Sequence, residues 1–205
     1  MSMPQIEFDG IYTALVTPFA GDHAESVDDD RLEAQVRVQA EAGVSGVVPC
    51  GTTGESPTLS DAEHRAVVTR VVDLARRHDL QVIAGAGSNH TATAVSHHVH
   101  AAQLGADAAL HVTPYYNRPS QEGLYRHFMT LADSVDLPIV VYHIPGRTNV
   151  RIALETFERL AVHPNIVAVK EASGDLTLAS HLLDRAGLTI LSGDDPLTLP
   201  LAAVG

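Results

Sequence analysis

The 205-residue sequence has no tryptophan, one cysteine and few basic residues. The single cysteine, Cys50, cannot form an internal disulfide, which fits a reducing cytoplasm, and its plainest interpretation is a small buried apolar side chain. Lys and Arg number 13 against 25 Asp and Glu, so the formal net charge is -12. A charge of that sign repels a phosphate backbone, and we expect no nucleic-acid partner.

Long apolar runs are missing as well, and we expect no secretory leader. No apolar run approaches the roughly 20 residues that span a membrane, and residues 1–10 carry Glu7 and Asp9 where a leader has a basic and then an apolar stretch. These absences favour a cytoplasmic protein without a membrane partner. Hydrophobic residues make up 45% of the sequence, enough for the core of one globular domain, which we expect to span residues 1–205.

Seven short apolar runs predict the strands of the fold. They are nearly continuous in Val, Ile, Ala and Leu, which is typical of strands buried on both faces. Segments of helical period alternate with them, and Ser60 with Glu63 has the spacing of a helix-capping box. Gly43, Gly105 and Gly187 stand where helices should end. The runs cover residues 11–19, 46–51, 81–87, 108–114, 138–145, 166–172 and 189–195.

Regular alternation of strand and helix predicts a parallel sheet, either closed into a barrel or doubly wound. No Gly-x-Gly-x-x-Gly follows the first strand, so a dinucleotide-binding fold loses its main support. Polar and reactive side chains instead follow several strands in turn, as they do around the mouth of a (β/α)8 barrel. We therefore predict an α/β fold of the (β/α)8 TIM-barrel type. The residues concerned are Thr52, Thr53, Tyr115, Tyr116, Tyr142, Lys170 and Asp194.

Lys170 ends the sixth run, in Ile-Val-Ala-Val-Lys, so that an amine stands at the end of an apolar strand. Desolvation lowers the pKa of an ammonium group, and the free amine can then attack a carbonyl carbon. Taken alone, a lysine that reaches solvent or pairs with Glu171 is the simpler interpretation.

Two further segments carry groups suited to a small carboxylate substrate. Tyr142 ends the fifth run and can relay protons, and Arg147 in the following loop can bind a carboxylate through two parallel hydrogen bonds. The loop at residues 51–55 offers backbone amides and the hydroxyls of Thr52 and Thr53. Each segment by itself is equally compatible with an ordinary structural role.

Five motifs occur in order along residues 10–205. They are Gly51-Thr-Thr-Gly-Glu-Ser, Thr113-Pro-Tyr-Tyr-Asn-Arg-Pro, Tyr142-His-Ile-Pro-Gly-Arg-Thr, Lys170-Glu-Ala-Ser-Gly and Ser192-Gly-Asp-Asp. Together they resemble the dihydrodipicolinate synthase and N-acetylneuraminate lyase family. Within that family the Thr-Thr loop and the Tyr-Tyr-Asn run resemble the synthase branch.

The resemblance implies a Schiff-base lyase that needs neither a cofactor nor a metal. Lys170 is expected to condense with pyruvate, and the resulting enamine attacks an aldehyde, which in the synthase branch is aspartate semialdehyde. That reaction belongs to lysine and diaminopimelate biosynthesis. Tyr142 is expected to shuttle protons through Thr52 to Tyr116, which reaches in from a neighbouring subunit of a homodimer or homotetramer.

The resemblance also implies binding roles for four other residues. Thr53 would hold the pyruvate carboxylate, and Arg147 would orient the carboxylate of the incoming aldehyde. Gly193 and Asp194 would shape the mouth of the site.

Two residues depart from the family pattern. His143 stands where the pattern usually has Asn, and Asn149 stands where it usually has Gly. Either change is expected to alter the pocket for the second substrate. A sister pyruvate-dependent aldolase or dehydratase acting on a sugar acid or an aromatic aldehyde therefore stays open, as does an inactive, truncated paralogue.

The segment 197–204 predicts the helix after the seventh strand, and the sequence shows no eighth strand and no further C-terminal helices of the family. Seven parallel strands leave two open edges. We therefore expect that residues 1–205 alone do not form a stable, active, closed monomer.

His97, His98 and His100 form a local cluster on a segment predicted to be a surface helix. No two of them are four residues apart, so the spacing does not favour a metal site. Solvated histidines are the expectation.

Overall fold

A computed structural model describes residues 6–21 and 26–205. These residues form two compact units: one comprises the residues up to Ala86 together with Val99–Ala109, and the other comprises Gly87–His98 and Leu110–Gly205. Residues 1–5, half of the segment that argues against a secretory leader, lie outside the described part. None of the described helices is long and apolar enough to cross a membrane.

Seven parallel strands follow one another in the sheet in the order in which they occur along the chain. Each lies within one of the seven predicted runs, so the prediction of a parallel α/β fold is confirmed. In the first unit Thr13 pairs with Val47, and in the second Lys170 pairs with Tyr142 and Leu191. The strands are β1 (Tyr12–Ala14), β2 (Gly46–Val48), β3 (Gln81–Gly85), β4 (Ala108–Val112), β5 (Ile139–His143), β6 (Ile166–Glu171) and β7 (Thr189–Ser192).

Eight α-helices are described between and after these strands. Their starts follow the local sequence: the predicted capping box of the second helix is present, with the Glu63 N–H donating to Ser60 Oγ and the Ser60 N–H donating to Glu63 Oε2 at 2.8 Å. The helices are α1 (Asp29–Glu41), α2 (Asp61–Arg76), α3 (Thr91–Leu104), α4 (Gln121–Ala132), α5 (Pro145–Thr148), α6 (Leu154–Leu160), α7 (Leu176–His181) and α8 (Thr198–Ala203).

Chain reversals after the helices also match the sequence. Gly43, Gly105 and Gly187 have φ values of 73°, 74° and 64°, the left-handed conformation that glycine adopts without steric cost. The sequence patterns did not reveal a short antiparallel hairpin that pairs Phe19–Ala20 with Ser26–Val27.

The core of the second unit lies between its strands and the helices that cover one face of them. Leu124, Phe128 and Leu131 recur at helical spacing along α4 and are fully buried. They share one cluster with Val141 of β5 and Val169 of β6. Because side chains alternate along a strand, Val140, Tyr142, Ala168 and Lys170 point to the opposite face of β5 and β6.

The expectation of solvated histidines on α3 is wrong for His98. Its side chain has no exposed surface, and its Nδ1 atom lies 3.1 Å from Nε2 of the equally buried His111 in β4. A third histidine, His127 of α4, is 5% exposed and hydrogen-bonds to Thr91. Within residues 6–21 and 26–205 no group of three or more His, Cys, Asp or Glu side chains is arranged to hold a metal ion.

Candidate active site

Lys170 and Tyr142 are brought side by side by the register of two neighbouring strands. Tyr142 of β5 is the direct partner of Lys170 of β6, so both side chains project from the same face of the sheet. The Lys170 Nζ atom lies 4.5 Å from the centre of the Tyr142 ring, and the Tyr142 side chain is buried. An amine and a phenol are thus held in contact at the carboxyl ends of adjacent strands.

The surroundings of Lys170 favour a reactive amine. Burial disfavours the ammonium form and lowers the pKa of Lys170, and the negative charge of Asp195 opposes this shift without reversing it. The sequence interpretation singled out Asp194, whereas its neighbour Asp195 is the carboxylate that acts on the amine. Adjacent aspartates after a strand give no sequence signal that separates them.

A second signal in the sequence was overlooked. Lys170 is the only lysine in the chain, and the other 12 of its 13 basic residues are arginines. Lysine readily loses its charge when it is buried, whereas arginine does not. The one side chain of the protein whose cation can become a free amine nucleophile therefore lies in this site.

Gly193 packs directly against Lys170. A Cβ atom at Gly193 would lie 3.1 Å from Lys170 Cε and 2.9 Å from the Ala172 Cβ. The Gly193 N–H donates to the Glu171 carbonyl at 2.8 Å, which fixes this backbone beside β6. Gly193 thus lies in close contact with Lys170, while Asp194 is half-buried in the adjoining turn.

Replacing Gly193 with alanine is expected to slow the condensation with pyruvate that the sequence predicts for Lys170, without unfolding the protein. The added methyl displaces the Lys170 side chain, and a misplacement of this kind costs roughly ten- to a hundredfold in rate, while crowding lowers stability by only about 1–3 kcal/mol. Rates of pyruvate trapping and melting temperatures measure the two effects. Gly146→Ala is the control, because nothing lies within 4 Å of a Cβ at that position; equal rates in both variants would contradict the expectation.

His143, one of the two departures from the family pattern, does not point towards Lys170. It pairs with Glu171 in the strand register, and its ring packs edge-on against Phe157 of α6 at 5.5 Å. His143 therefore lies on the helix-covered face of the sheet. Because consecutive strand residues face opposite sides, His143 does not line the face that carries Lys170, and its effect on the second-substrate pocket stays a prediction.

Arg147 and Asn149 lie together at the short helix α5. The Arg147 side chain is exposed, and among the described residues no ion pair of its guanidinium is found. Asn149 ends the helix with a φ of 58°, and its N–H donates to the Pro145 carbonyl at 2.8 Å. The second departure thus stands at a left-handed position that glycine favours and asparagine tolerates.

Tyr116 protrudes into solvent from the second unit. Its side chain is 92% exposed, and its backbone has a φ of 69°. The segment around it is fixed by hydrogen bonds, because Asn89 Nδ2 donates to the Tyr115 carbonyl and Asn117 Nδ2 donates to the Asn89 carbonyl. A fully presented phenol on a fixed backbone is suited to contact with another molecule.

Thr52 and Thr53 belong to the first unit, in the turn that follows β2, and both are exposed. The turn is tightly packed beneath them. Thr17 Oγ1 donates to the Gly54 carbonyl at 2.6 Å, and a Cβ atom at Gly54 would lie 3.1 Å from the Leu15 carbonyl oxygen. Glycine at position 54 allows the turn to pack closely against the Leu15 backbone. The exposed hydroxyls of Thr52 and Thr53 therefore belong to a turn whose backbone is held by packing and hydrogen bonding.

Cys50, just before this turn, is expected to be inert in the folded protein. Its side chain is 2% exposed, and burial raises its pKa to about 12. Since the thiolate is the reactive form, alkylation near pH 8 should be roughly a thousandfold slower than for a free thiol. Iodoacetamide labelling followed by mass spectrometry, with and without denaturant, measures this at the only cysteine; rapid labelling without denaturant would contradict it.

Comparison with known protein families gives one match that covers almost the whole chain. The pattern of the Dihydrodipicolinate synthetase family matches residues 7–205. A 4-hydroxy-tetrahydrodipicolinate synthase of Methanothrix thermoacetophila is 50% identical over 97% of this chain and 66% of its own length. That of Sorangium cellulosum is 52% identical over 99% of this chain and 68% of its own length. The chain therefore spans about two thirds of the length of these relatives.

Solved structures give the same result. The dihydrodipicolinate synthase from Aquifex aeolicus superposes with a TM-score of 0.93 at 45% identity, over 97% of this chain and 67% of that one. The enzyme from Acinetobacter baumannii, solved in complex with pyruvate, superposes with a TM-score of 0.91 at 42% identity, over 96% and 67% of the two chains.

Proposed function

This chain belongs to the dihydrodipicolinate synthetase family, and we propose that it carries the imine-forming site of a lyase that condenses pyruvate with aspartate semialdehyde. The strongest support for this proposal is the environment of Lys170. Lys170 is an amine whose pKa is lowered by burial and which lies 4.5 Å from the centre of the Tyr142 ring. Imine formation requires an amine that loses its proton more readily than an exposed lysine and a group beside it that transfers protons.

The proposed reaction begins when Lys170 Nζ attacks C2 of pyruvate and water leaves, which gives a protonated imine. Loss of a proton from the pyruvate methyl group forms an enamine, whose carbon bonds to the aldehyde carbon while the aldehyde oxygen takes up a proton. The amino group of the second substrate then attacks the imine carbon, and the bond to Nζ breaks. The product is 4-hydroxy-tetrahydrodipicolinate, with Lys170 regenerated.

Other residues bind and position the substrates in this proposal. Tyr142 transfers protons to and from the reacting oxygen, with the Thr52 hydroxyl as its relay. Thr53 binds the pyruvate carboxylate, and Arg147 binds the carboxylate of the aldehyde. Gly193 leaves room beside the amine, and the Asp194 turn forms the adjoining wall.

Tyr116 completes the site in a homo-oligomer, a dimer or tetramer. Its 92% exposure on a fixed segment supports a role in a neighbouring copy. No cofactor and no metal takes part in the proposed steps, since the imine itself withdraws electrons from the pyruvate methyl group.

The choice of aspartate semialdehyde over another aldehyde has structural support. His143, which kept a sister aldolase or dehydratase open, lies on the face away from Lys170, and Asn149 satisfies a backbone requirement at the end of α5. Neither residue supplies a reason to assign a different second substrate. An exposed arginine near the site suits an aldehyde that carries a carboxylate.

Borohydride trapping tests the proposal directly. The 205-residue chain is incubated with pyruvate and sodium borohydride, digested and analysed by mass spectrometry. A reduced pyruvate adduct on Lys170 is the expected result, and product formation with aspartate semialdehyde is compared with that from sugar-acid and aromatic aldehydes. Absence of any adduct in protein that is folded and associated into oligomers would refute the imine mechanism, whereas an adduct with turnover of another aldehyde would refute only the choice of substrate.

Replacing Arg147 with alanine is expected to raise the KM for the aldehyde roughly ten- to a hundredfold, because a charge-assisted pair to a carboxylate is lost. Pyruvate trapping should change little. Steady-state kinetics in each substrate separate the two, and Arg151→Ala, another exposed arginine, is the matched control. Equal losses for both substrates would give Arg147 a structural role instead.

A further inference from the structure

A buried polar pair lies directly behind the proposed site, on the opposite face of the same two strands. His143 Nδ1 and Glu171 Oε2 are 2.8 Å apart, and their side chains are 0% and 1% exposed. Each follows a site residue in the sequence, since His143 comes after Tyr142 and Glu171 after Lys170. Most buried polar groups in folded proteins are hydrogen-bonded, because burying one without a partner is costly.

The hydrogen bonds of this pair fix the protonation of every member. The Ile152 N–H donates to His143 Nε2 at 3.3 Å, so Nε2 carries no proton and the ring is neutral with its proton on Nδ1. Nδ1 therefore donates to Glu171 Oε2, and Glu171 Oε1 accepts from the Ser173 N–H. Because both of its oxygens accept, Glu171 is an ionised carboxylate.

The chain of bonds joins two loops that serve the proposed site. Ser173 lies in the turn that follows Lys170, and Ile152 ends the segment that carries Arg147. Backbone bonds extend the same connection, since the Ala172 N–H donates to the His143 carbonyl at 2.9 Å. The His143–Glu171 pair thus bonds both to the turn that follows Lys170, at Ser173, and to the segment that follows Arg147, at Ile152.

We propose that His143 and Glu171 are positioning residues that hold these two loops together and so keep Lys170 and Arg147 in place for the two substrates. The inference rests on the proposed function for its kinetic consequences, but not for its structural ones. Its two arms are separable: the Glu171 arm fixes the turn after Lys170, and the Ile152 arm fixes the Arg147 segment.

Three substitutions separate the arms. In His143→Asn the amide can donate to Glu171 from the position of Nδ1 but does not reach the Ile152 N–H. In His143→Gln the carbonyl can accept from Ile152 at the position of Nε2, and the bond to Glu171 is lost. In Glu171→Gln an NH2 group replaces one of the two carboxylate oxygens. That NH2 group then faces either the His143 Nδ1–H or the Ser173 N–H, and neither of these donors can bond to it.

Amide hydrogen exchange in the 205-residue chain provides a readout that needs no turnover. His143→Asn should speed exchange about tenfold at Ile152 and leave Ser173 unchanged, whereas Glu171→Gln should speed exchange at Ser173 by a similar factor. His163→Asn and Glu122→Gln are the matched controls, because they remove a histidine and a carboxylate from surface pairs. Unchanged exchange at both amides in all three variants would overturn the proposal.

The kinetic readout is a split between the two substrates. His143→Asn should raise the KM for the aldehyde about tenfold while pyruvate trapping on Lys170 stays near the wild-type rate, and both His143→Gln and Glu171→Gln should slow the trapping about tenfold. A uniform loss in all three, with altered circular dichroism, would show that the pair serves stability alone.

Nitrogen NMR of the imidazoles gives a third check, with the His143 signals assigned by their loss in His143→Asn. A proton on Nδ1 and none on Nε2 is expected, and the reverse tautomer would refute the network. If wild-type protein traps no pyruvate, the proposed function fails, while exchange and tautomer still decide whether the pair holds the loops.

Discussion

Lys170→Ala is expected to abolish pyruvate trapping and to lower turnover by roughly four orders of magnitude or more, since alanine supplies neither the nucleophile nor the electron-withdrawing imine. The fold should survive the change. Removing an amine whose pKa is lowered by burial relieves a desolvation cost, so Lys170→Met, which fills the same space, should melt no lower than the wild-type protein.

The measurement is unusually direct in this chain. Lys170 is the sole lysine, so a reduced adduct on any lysine side chain identifies it without competition, and the α-amino group is the only other primary amine. Intact-mass analysis of wild type, Lys170→Ala and Lys170→Met after borohydride treatment gives the comparison. An adduct that persists in both variants and that peptide mapping places outside the α-amino group, or turnover within tenfold of wild type, would refute the role of Lys170.

Acidification is expected to unfold the protein through its buried histidines. Burial lowers the pKa of His98 and His127 from 6.5 to about 4, and burial together with the neighbouring histidines lowers the pKa of His111 well below 6.5. In the unfolded chain all three take up protons near pH 6.5. The unfolded state therefore binds more protons than the folded state between about pH 6.5 and 4, so this stability is complete above pH 6.5 and is lost as the pH falls through that window.

The size of the effect follows from the shifts. His98 and His127 should each withdraw roughly 3 kcal/mol of stability by pH 4, and His111 adds to this loss in the same direction. Globular proteins have only about 5–15 kcal/mol of stability, so unfolding between about pH 5 and 4 is expected. Urea denaturation from pH 7.5 to 5 measures the slope.

A substituted chain shows whether the histidines cause the loss. His127→Gln removes one buried titrating group, so the slope of unfolding free energy against pH should fall by up to about 1.4 kcal/mol per pH unit. His78→Gln, at an exposed histidine, is the control and should leave the slope unchanged. Identical slopes in wild type and His127→Gln would assign acid unfolding to the carboxylates instead.

Sequence patterns predicted the strands well because the strands are buried on both faces. The predicted run 166–172, for example, extends only one residue beyond β6 (Ile166–Glu171). A short continuous run of Val, Ile and Ala between helical segments is typical of a strand buried on both faces. The same property hides which face each strand residue takes. The sequence alone does not tell which face His143 takes, because nothing in an apolar run separates the two faces of a strand, and only the pairing with β6 does so.

The sequence also does not show which side chains of a surface helix are buried. Buried His98 and half-buried His97 are adjacent on α3. A polar residue type in a surface helix predicts a solvent-exposed side chain, so the sequence does not separate the two. Burial of His98 comes from its contact with His111, a residue 13 positions away that no local pattern connects to it. Candidate site residues are easier to propose from the sequence, because each follows an apolar run and reactive groups gather at strand ends.

The strict alternation of Tyr142 with His143 and of Lys170 with Glu171 has a consequence for which length changes β5 and β6 can tolerate. Inserting or deleting one residue within β6 turns every following side chain to the other face. The amine would then enter the apolar layer beside Phe157, and the carboxylate that His143 holds would face the substrates. Substitutions can adjust this site gradually, but a single-codon insertion or deletion in either strand should eliminate both the amine and its support at once, so length variation among functional homologues should be confined to the loops that follow these strands.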